Sequence, residues 1–491
     1  MIAISRRAVF SLVGLLLISI AGLVAASSAN AAHFEDCELK GPQGIGLVQA
    51  QCTIMMMPEN PDAPGEVQVP VRVARIASLS PEPAADAFTV INGGPGGSSL
   101  GLYAQSAAAF AGILRERDIV VLDQRGTGES SPLNCPQQEA MIDSFDREFL
   151  VSATRSCLDQ LPYDPRYFTT SVAVQDLDTV RAELGYQQLT IYGVSYGTRV
   201  AMHYARRYPD QTRALIIDGV VPPEIALGPN AAINAQTTLD RLLARCAAES
   251  VCQEQFPNLK DDLIALLAAL SAEPVLVDIA DPLTGAPREV EVRADHVALT
   301  IRMLSYAPET AALIPLIVDQ AHNDGDYRPI AANALRIIGE LEGAIATGMH
   351  NAVVCAEDIP FLGPINWSEL ESTFMGALQS QALLTICENW PSGSIDPDIK
   401  DPLTLPVPTL LLSGEEDPIT PPEYGQQVVA NLPNALHIVA PGQGHGVFNR
   451  GCIPRLIGEF VETTDLTALD TQCVDRLRPQ PFFLDTLGPA P

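Results

Sequence analysis

Basic residues are scarce in this chain. Against 59 Asp and Glu there are only 29 Lys and Arg, leaving a formal net charge of −30. A surface of that sign repels nucleic acid and anionic membranes, so neither is expected as a partner. Metal-binding patterns are missing as well. There is no C-x-x-C, no H-E-x-x-H and no cluster among the seven histidines, so no metal and no organic cofactor is expected. After the first apolar run no second one reaches the length of a membrane span, and no internal repeat is found. With 47% hydrophobic residues a large core is within reach, and disorder is not the default.

What is present begins with an address. Arg6 and Arg7 precede an apolar run at 8–26, and Ala29-Asn30-Ala31 follows as a cleavage site of the A-x-A kind. Residues 1–31 therefore read as a signal peptide, which makes the protein exported, periplasmic or extracellular, with no stable membrane association after cleavage. The alternative is an uncleaved anchor, because the run is nearly long enough to span. Ten cysteines follow the leader, and an even number in an exported chain reads as disulfides. Spacing leaves their connectivity open. Pairing neighbours in order is the simplest arrangement, and Cys246–Cys252 and Cys452–Cys473 each bracket one short segment.

The pattern of apolar residues predicts an α/β fold. Residues 67–76 alternate as an antiparallel edge strand does. Buried-strand patterns follow at 87–92, 118–123, 188–192 and 214–219, with helical patterns between them at 100–115, 171–185 and 198–208. Short apolar strands alternating with helices argue a mostly parallel central sheet with helices on both faces. The alternation stops at Pro222-Pro223 and resumes at 407–414, followed by a strand at 435–441 and a helix near 453–461. The interval holds mainly helical patterns, among them 239–249 and 259–273, and one hairpin around DPLTGAP. The expected organisation is a first core part at 32–222, a large helical cap at 223–401, a C-terminal core part at 402–478, and a loose proline-rich tail at 479–491.

Residues 193–197, Gly-Val-Ser-Tyr-Gly, sit between a strand and a helix. G-x-S-x-G in that setting is the nucleophile-elbow pattern, in which a strained serine is tolerated because its glycine neighbours cannot collide with it. Ser195 needs a base. His203 falls on the following helix and His437 inside a strand, whereas His445 occupies a glycine-rich loop after the last strand and is the expected base. The orienting acid should lie between them in the chain. Asp417, in the loop after 407–414, is the choice over Glu415, Glu416 and Asp218. Thr420-Pro421-Pro422-Glu423 resembles a capping box that would fix this loop. Two N–H groups should stabilise an oxyanion, that of Tyr196 after the nucleophile and that of Gly94 in NGGPGGSS at 92–99. The same loop lacks the lysine of a phosphate cradle.

Together these motifs resemble the proline iminopeptidase and tripeptidyl aminopeptidase branch of the α/β-hydrolases. The resemblance rests on GGPGGSS (93–99), DQRGTGESSPLNC (123–135), YGVSYGT (192–198), LIIDGVVPP (215–223), GEEDPITPP (414–422) and GQGHG (442–446), and extends to the end bracketed by Cys452 and Cys473. One departure is Asn92, where iminopeptidases more often carry histidine. The resemblance implies removal of short N-terminal units from peptides with a free N-terminus, whose ammonium group would be met by carboxylates of the cap. Glu357 and Asp358 are candidates for that role, and a solvated turn before Pro360 accounts for them equally well. Asp123 and Arg125 are expected to hold their own loop by ion pairing.

The expected activity is that of an exported serine aminopeptidase acting through an acyl-enzyme. A secreted carboxylesterase or lipase with the same Ser-His-Asp set is the alternative, and a binding protein on an inactive hydrolase scaffold is a more remote one.

Overall fold

The computed structural model describes residues 33–135 and 146–489. The expected leader lies outside them. Eleven strands are found among the described residues: β1 (Glu35–Lys40), β2 (Leu47–Pro58), β3 (Gln68–Ile76), β4 (Ala87–Ile91), β5 (Ile119–Leu122), β6 (Leu189–Val194), β7 (Thr212–Asp218), β8 (Val275–Ala280), β9 (Pro287–Val292), β10 (Thr409–Gly414) and β11 (Ala435–Ala440). Nine form one sheet in the order β1-β2-β3-β5-β4-β6-β7-β10-β11, while β8 and β9 pair as a separate hairpin. From β5 to β11 every neighbouring pair is parallel, and the first three strands run antiparallel at one side. The mostly parallel sheet is what the alternation of strands and helices predicts, and the whole is the α/β-hydrolase architecture that the motif resemblance implies.

Side chains along a strand point to opposite faces in turn, and the central strands obey this. Ile191, Leu215, Ile217 and Leu411 enter one apolar cluster; Tyr192, Ile216, Leu410 and Leu412 enter the other. Helices Thr170–Glu183 and Tyr196–Arg207 cover the first face, and Ser99–Phe110 and Ile453–Thr463 the second. Five disulfides join neighbouring cysteines in order: Cys37–Cys52, Cys135–Cys157, Cys246–Cys252, Cys355–Cys387 and Cys452–Cys473. Among the described residues no helix is long and apolar enough to cross a membrane.

Four sequence expectations are corrected. The strand at 67–76 is not an edge, because β2 pairs along almost its whole length, from Gln51↔Arg75 to Pro58↔Gln68. The helix expected over 100–115 ends at Phe110, and a single 3-10 turn, Ile113–Arg115, follows. The tail is not loose: Phe482 is buried against the insertion, the Arg245 guanidinium stacks 3.9 Å over its ring, and Phe483 N–H donates to the Ala312 carbonyl at 3.1 Å.

The fourth correction concerns the cap. Its first part, with Leu239, Leu243, Leu263, Leu266, Ile301 and Ile317, closes a core of its own. Helices Thr347–Glu357 and Leu378–Cys387 instead return to the sheet, where Met349, Val353 and Ile386 join the first face's cluster. The residues expected to form one cap thus divide between a separate lobe and the hydrolase core.

Candidate active site

Backbone sterics place Ser195. It lies between β6 and the helix Tyr196–Arg207 at φ 58°, ψ −127°, a conformation that L-residues adopt only under constraint. A Cβ on Gly193 would come within 2.3 Å of the Gly197 carbonyl oxygen, and one on Gly197 within 2.4 Å of the Ile91 carbonyl oxygen. The turn closes only with glycine at both places. Ser195 N–H donates to the Asp218 carbonyl at the end of β7 at 2.9 Å, which fixes the serine over the carboxyl ends of the parallel strands.

The loop after β10 carries Asp417, whose side chain is fully buried. Its Oδ1 accepts the N–H groups of Ile419 and Thr420, each at 2.9 Å, and its Oδ2 accepts the Thr420 hydroxyl at 2.8 Å. His445 Nδ1 lies 2.8 Å from the same Oδ2. Burial pulls the His445 pKa down, but the charge and hydrogen bond of Asp417 more than reverse this and hold it above the ordinary histidine value. The imidazole reaches the serine's neighbourhood: its Cε1 is 3.1 Å from where a Cβ on Gly219 would stand, one residue beyond the carbonyl that holds Ser195. Ser195 Oγ and His445 Nε2 form no hydrogen bond to any described residue. Bonds of this kind tighten when substrate arrives.

Asp218, weighed at first as an acid, does different work. Its carboxylate accepts Val447 N–H and Phe448 N–H, both at 2.8 Å, and the Tyr192 hydroxyl at 3.0 Å, so it anchors the loop that presents His445. Burial pushes its pKa up to about 6, against these hydrogen bonds. The other strand and helix histidines are engaged elsewhere. His203 Nε2 sits 2.8 Å from Asp396, and His437 Nε2 2.9 Å from the Ser413 hydroxyl.

The glycine loop abuts the serine. A Cβ on Gly93 would lie 2.6 Å from Ser195 Cβ. Gly93 N–H is consumed by Asn92 Oδ1 at 2.7 Å. The N–H groups of Gly94 and Tyr196 have no partner among the described residues, as donors kept for an oxyanion require. Gly94 has φ 114°, a region that glycine alone enters freely.

Asp123 and Arg125 both stabilise loops, but not by the ion pairing expected of both. Asp123 accepts the Ser98 hydroxyl at 2.8 Å and the N–H groups of Leu100 and Glu129 at 3.0 and 2.8 Å, tying its own loop to the glycine loop. Arg125 pairs with Asp176, at 2.6 and 2.7 Å, and not within its own loop.

Glu357 and Asp358 are completely buried, so no solvated turn exists there. Glu357 spends both oxygens on Thr170, accepting its N–H at 2.7 Å and its hydroxyl at 2.8 Å. Asp358 Oδ1 takes Arg199 and Lys400, each at 2.9 Å, and the Leu227 N–H at 3.0 Å, while its Oδ2 has no partner.

Two site residues escaped the sequence reading. Thr420 does not cap the helix Pro422–Val429, where no side-chain cap bond forms; its hydroxyl stands between Asp417 and His445, 3.1 Å from Nδ1. The spacing D-x-x-T was its only signal. Tyr306 comes from the insertion: its carbonyl accepts His445 N–H at 2.8 Å and its ring meets the imidazole edge-on at 5.2 Å. No sequence pattern announces it.

Residues 86–253 match a family model described as alpha/beta hydrolase fold, and residues 372–473 one described as TAP-like protein. The chain is similar to a tripeptidyl aminopeptidase of Streptomyces coelicolor, 25% identical over 94% of this chain and 89% of the relative. A second tripeptidyl aminopeptidase, of Streptomyces lividans, is 26% identical over 94% and 90%. The serine protease Hip1 of Mycobacterium tuberculosis is 27% identical over 76% of this chain and 78% of its own.

Proposed function

Since the chain belongs to the α/β-hydrolases, in the branch of the tripeptidyl aminopeptidase-like serine peptidases, we propose that it removes short N-terminal units from peptides with a free N-terminus, using Ser195, His445 and Asp417. Ser195 Oγ attacks the scissile carbonyl carbon while its proton passes to His445 Nε2. Asp417 holds Nδ1 and favours the imidazolium. The carbonyl oxygen becomes an oxyanion facing the N–H groups of Gly94 and Tyr196. As the tetrahedral intermediate collapses, the C–N bond breaks and His445 returns its proton to the leaving amine. Water then repeats the sequence on the acyl-enzyme and frees Ser195. The observation that carries this reading is the 2.8 Å contact between His445 Nδ1 and a fully buried Asp417, on loops that meet the serine's own turn.

The two Streptomyces relatives support a tripeptide as the unit released. Export is part of the same proposal, supported by the leader pattern and by five disulfides.

The test is a panel of fluorogenic aminoacyl, dipeptidyl and tripeptidyl amides, each free and N-acetylated, beside short-chain esters. Free tripeptidyl amides should be cut fastest. Ser195→Ala should abolish turnover with an unchanged circular dichroism spectrum, and substantial residual hydrolysis overturns the assignment. Short-chain esters cut faster than any amide, with amide cleavage indifferent to acetylation, would return the esterase reading instead.

A further inference from the structure

The helix Thr347–Glu357 reaches both proposed oxyanion donors. Just before its first turn, Ala346 N–H donates to the Gly96 carbonyl at 3.0 Å, and Ile345 forms a β-bridge with Gly97. The fit leaves no slack, for a Cβ on Gly94 would stand 3.1 Å from Ile345 Cδ1 and one on Gly96 2.7 Å from the Ala346 carbonyl oxygen.

The far end meets the other donor. Glu357 Oε2 accepts the Thr170 hydroxyl at 2.8 Å, and that hydroxyl lies 2.7 Å from the phenol oxygen of Tyr196. Thr170 has one hydroxyl proton. When Glu357 is ionised it takes that proton, so Thr170 can only accept from Tyr196, and Tyr196 in turn accepts from Gln124 Nε2 at 3.2 Å. The chain of bonds has one direction and ends on a carboxyl with no exposure. Tyr196 is the residue whose backbone N–H faces the oxyanion. The helix cannot shift freely between its two contacts, since Cys355 is bonded to Cys387 and Gly348 N–H donates to the Leu133 carbonyl at 2.7 Å.

We propose that this helix, which the inserted segment packs onto the first face of the sheet, braces the oxyanion hole from both sides, and that Glu357 is the positioning residue through which it sets Tyr196. The inference rests on the assignment of Ser195 as nucleophile. Glu357 touches neither substrate nor reacting atoms. It acts through Thr170 on the angle at which one N–H group meets the developing charge, a contact worth most in the transition state.

Two variants test this. Glu357→Gln keeps the shape but turns a donor toward Thr170, reversing the chain of bonds. Tyr196→Phe removes its far end and leaves the backbone N–H in place. Measured at about pH 8 or above, where Glu357 is ionised, each should lower kcat at least about tenfold on a tripeptidyl amide while KM stays within about twofold. Affinity for a peptidyl boronic acid, which mimics the tetrahedral adduct, should fall in parallel, and affinity for the product tripeptide should not. Unchanged kcat in both variants, or a loss carried by KM alone, overturns the proposal. If Glu357→Gln does not fold, Tyr196→Phe decides. Ser195→Ala separates the layers: an active Ser195→Ala enzyme removes the parent reading, whereas an inactive one beside two unimpaired variants removes only the brace.

Discussion

His445 Nδ1 lies 2.8 Å from Asp417 Oδ2, with the carboxylate wholly buried and the imidazole side chain 12% exposed. The pair is largely withheld from water, so the charge on Asp417 is weakly screened at the imidazole.

A pH dependence follows. Burial alone would lower the His445 pKa, and Asp417 raises it beyond the ordinary value. The base must be neutral to accept a proton, so kcat/KM should rise with pH through a limb lying above about 6.5. Asp417→Asn removes the raising charge. The limb should move down in pH, and the rate should drop by up to about 10⁴-fold, the scale seen when a triad acid becomes an amide. A pH–rate profile of both enzymes checks this, and a limb that stays put in Asp417→Asn separates the two residues.

Thr420→Val deletes one of the donors to Asp417 and leaves the N–H groups of Ile419 and of residue 420 itself in place. A hydrogen bond to a charged group contributes about 1.5–3 kcal/mol. If most of that orients His445 in the transition state, kcat should fall by about 10- to 100-fold with little change in melting temperature. Steady-state kinetics beside a thermal scan distinguishes this from a stability effect.

The sequence made the tight turn at Ser195 legible because local sterics demand particular residues there, and the order of motifs along the chain pointed to the loops on which Asp417 and His445 meet. Gly193 and Gly197 are dictated by carbonyl oxygens less than 2.5 Å from any Cβ. Thr420 was misread because a threonine before two prolines satisfies a helix-start pattern equally well; only the approach of His445, distant in the chain, claims its hydroxyl. Tyr306 contributes a carbonyl, which every residue has. β3 looked like an edge strand because alternation reports which faces are buried but not which backbone groups are paired. The tail's docking turns on Phe482 and Arg245, a contact between the two ends of the C-terminal half that no local pattern encodes.

Glu357 makes stability depend on pH. Burial pushes its pKa up to about 7 from 4.5, opposed by Arg199 and by the two bonds from Thr170 and reinforced by Asp358. Lys400 and the Tyr196 phenol also feel its charge. A raised carboxyl contributes stability that is complete below the unfolded value and is lost as pH rises through the folded one. Between pH 4.5 and about 7 the unfolded chain therefore releases a proton that the folded chain keeps, for at most about 3 kcal/mol. Denaturant titrations at pH 5 and 7.5 should show this loss, and Glu357→Gln should flatten it.

The disulfide Cys355–Cys387 closes 32 residues of chain and joins the bracing helix to Leu378–Cys387. Replacing both cysteines with serine should cost about 2–4 kcal/mol. Both lie against the first face's core, so the loosened helix should lower kcat below the melting transition as well. Chemical denaturation and kinetics on the same preparation measure the two effects.

Arg125→Lys tests whether the DQRG segment is structural. Every N–H of the Arg125 guanidinium is used: two on Asp176 at 2.6 and 2.7 Å, and three on the carbonyls of Glu59, Pro58 and Tyr167 at 2.9, 3.0 and 3.2 Å. Lysine keeps the charge but offers three donors from a point, and cannot serve β2, the loop before Phe168 and Asp176 at once. Both partners are buried, at 0% and 4% exposure, so the unmet groups cannot turn to water. The variant should lose about 3 kcal/mol or more while KM for a tripeptidyl amide, measured well below its melting point, stays within about twofold. A large rise in KM in a fully stable variant would instead place Arg125 at the substrate.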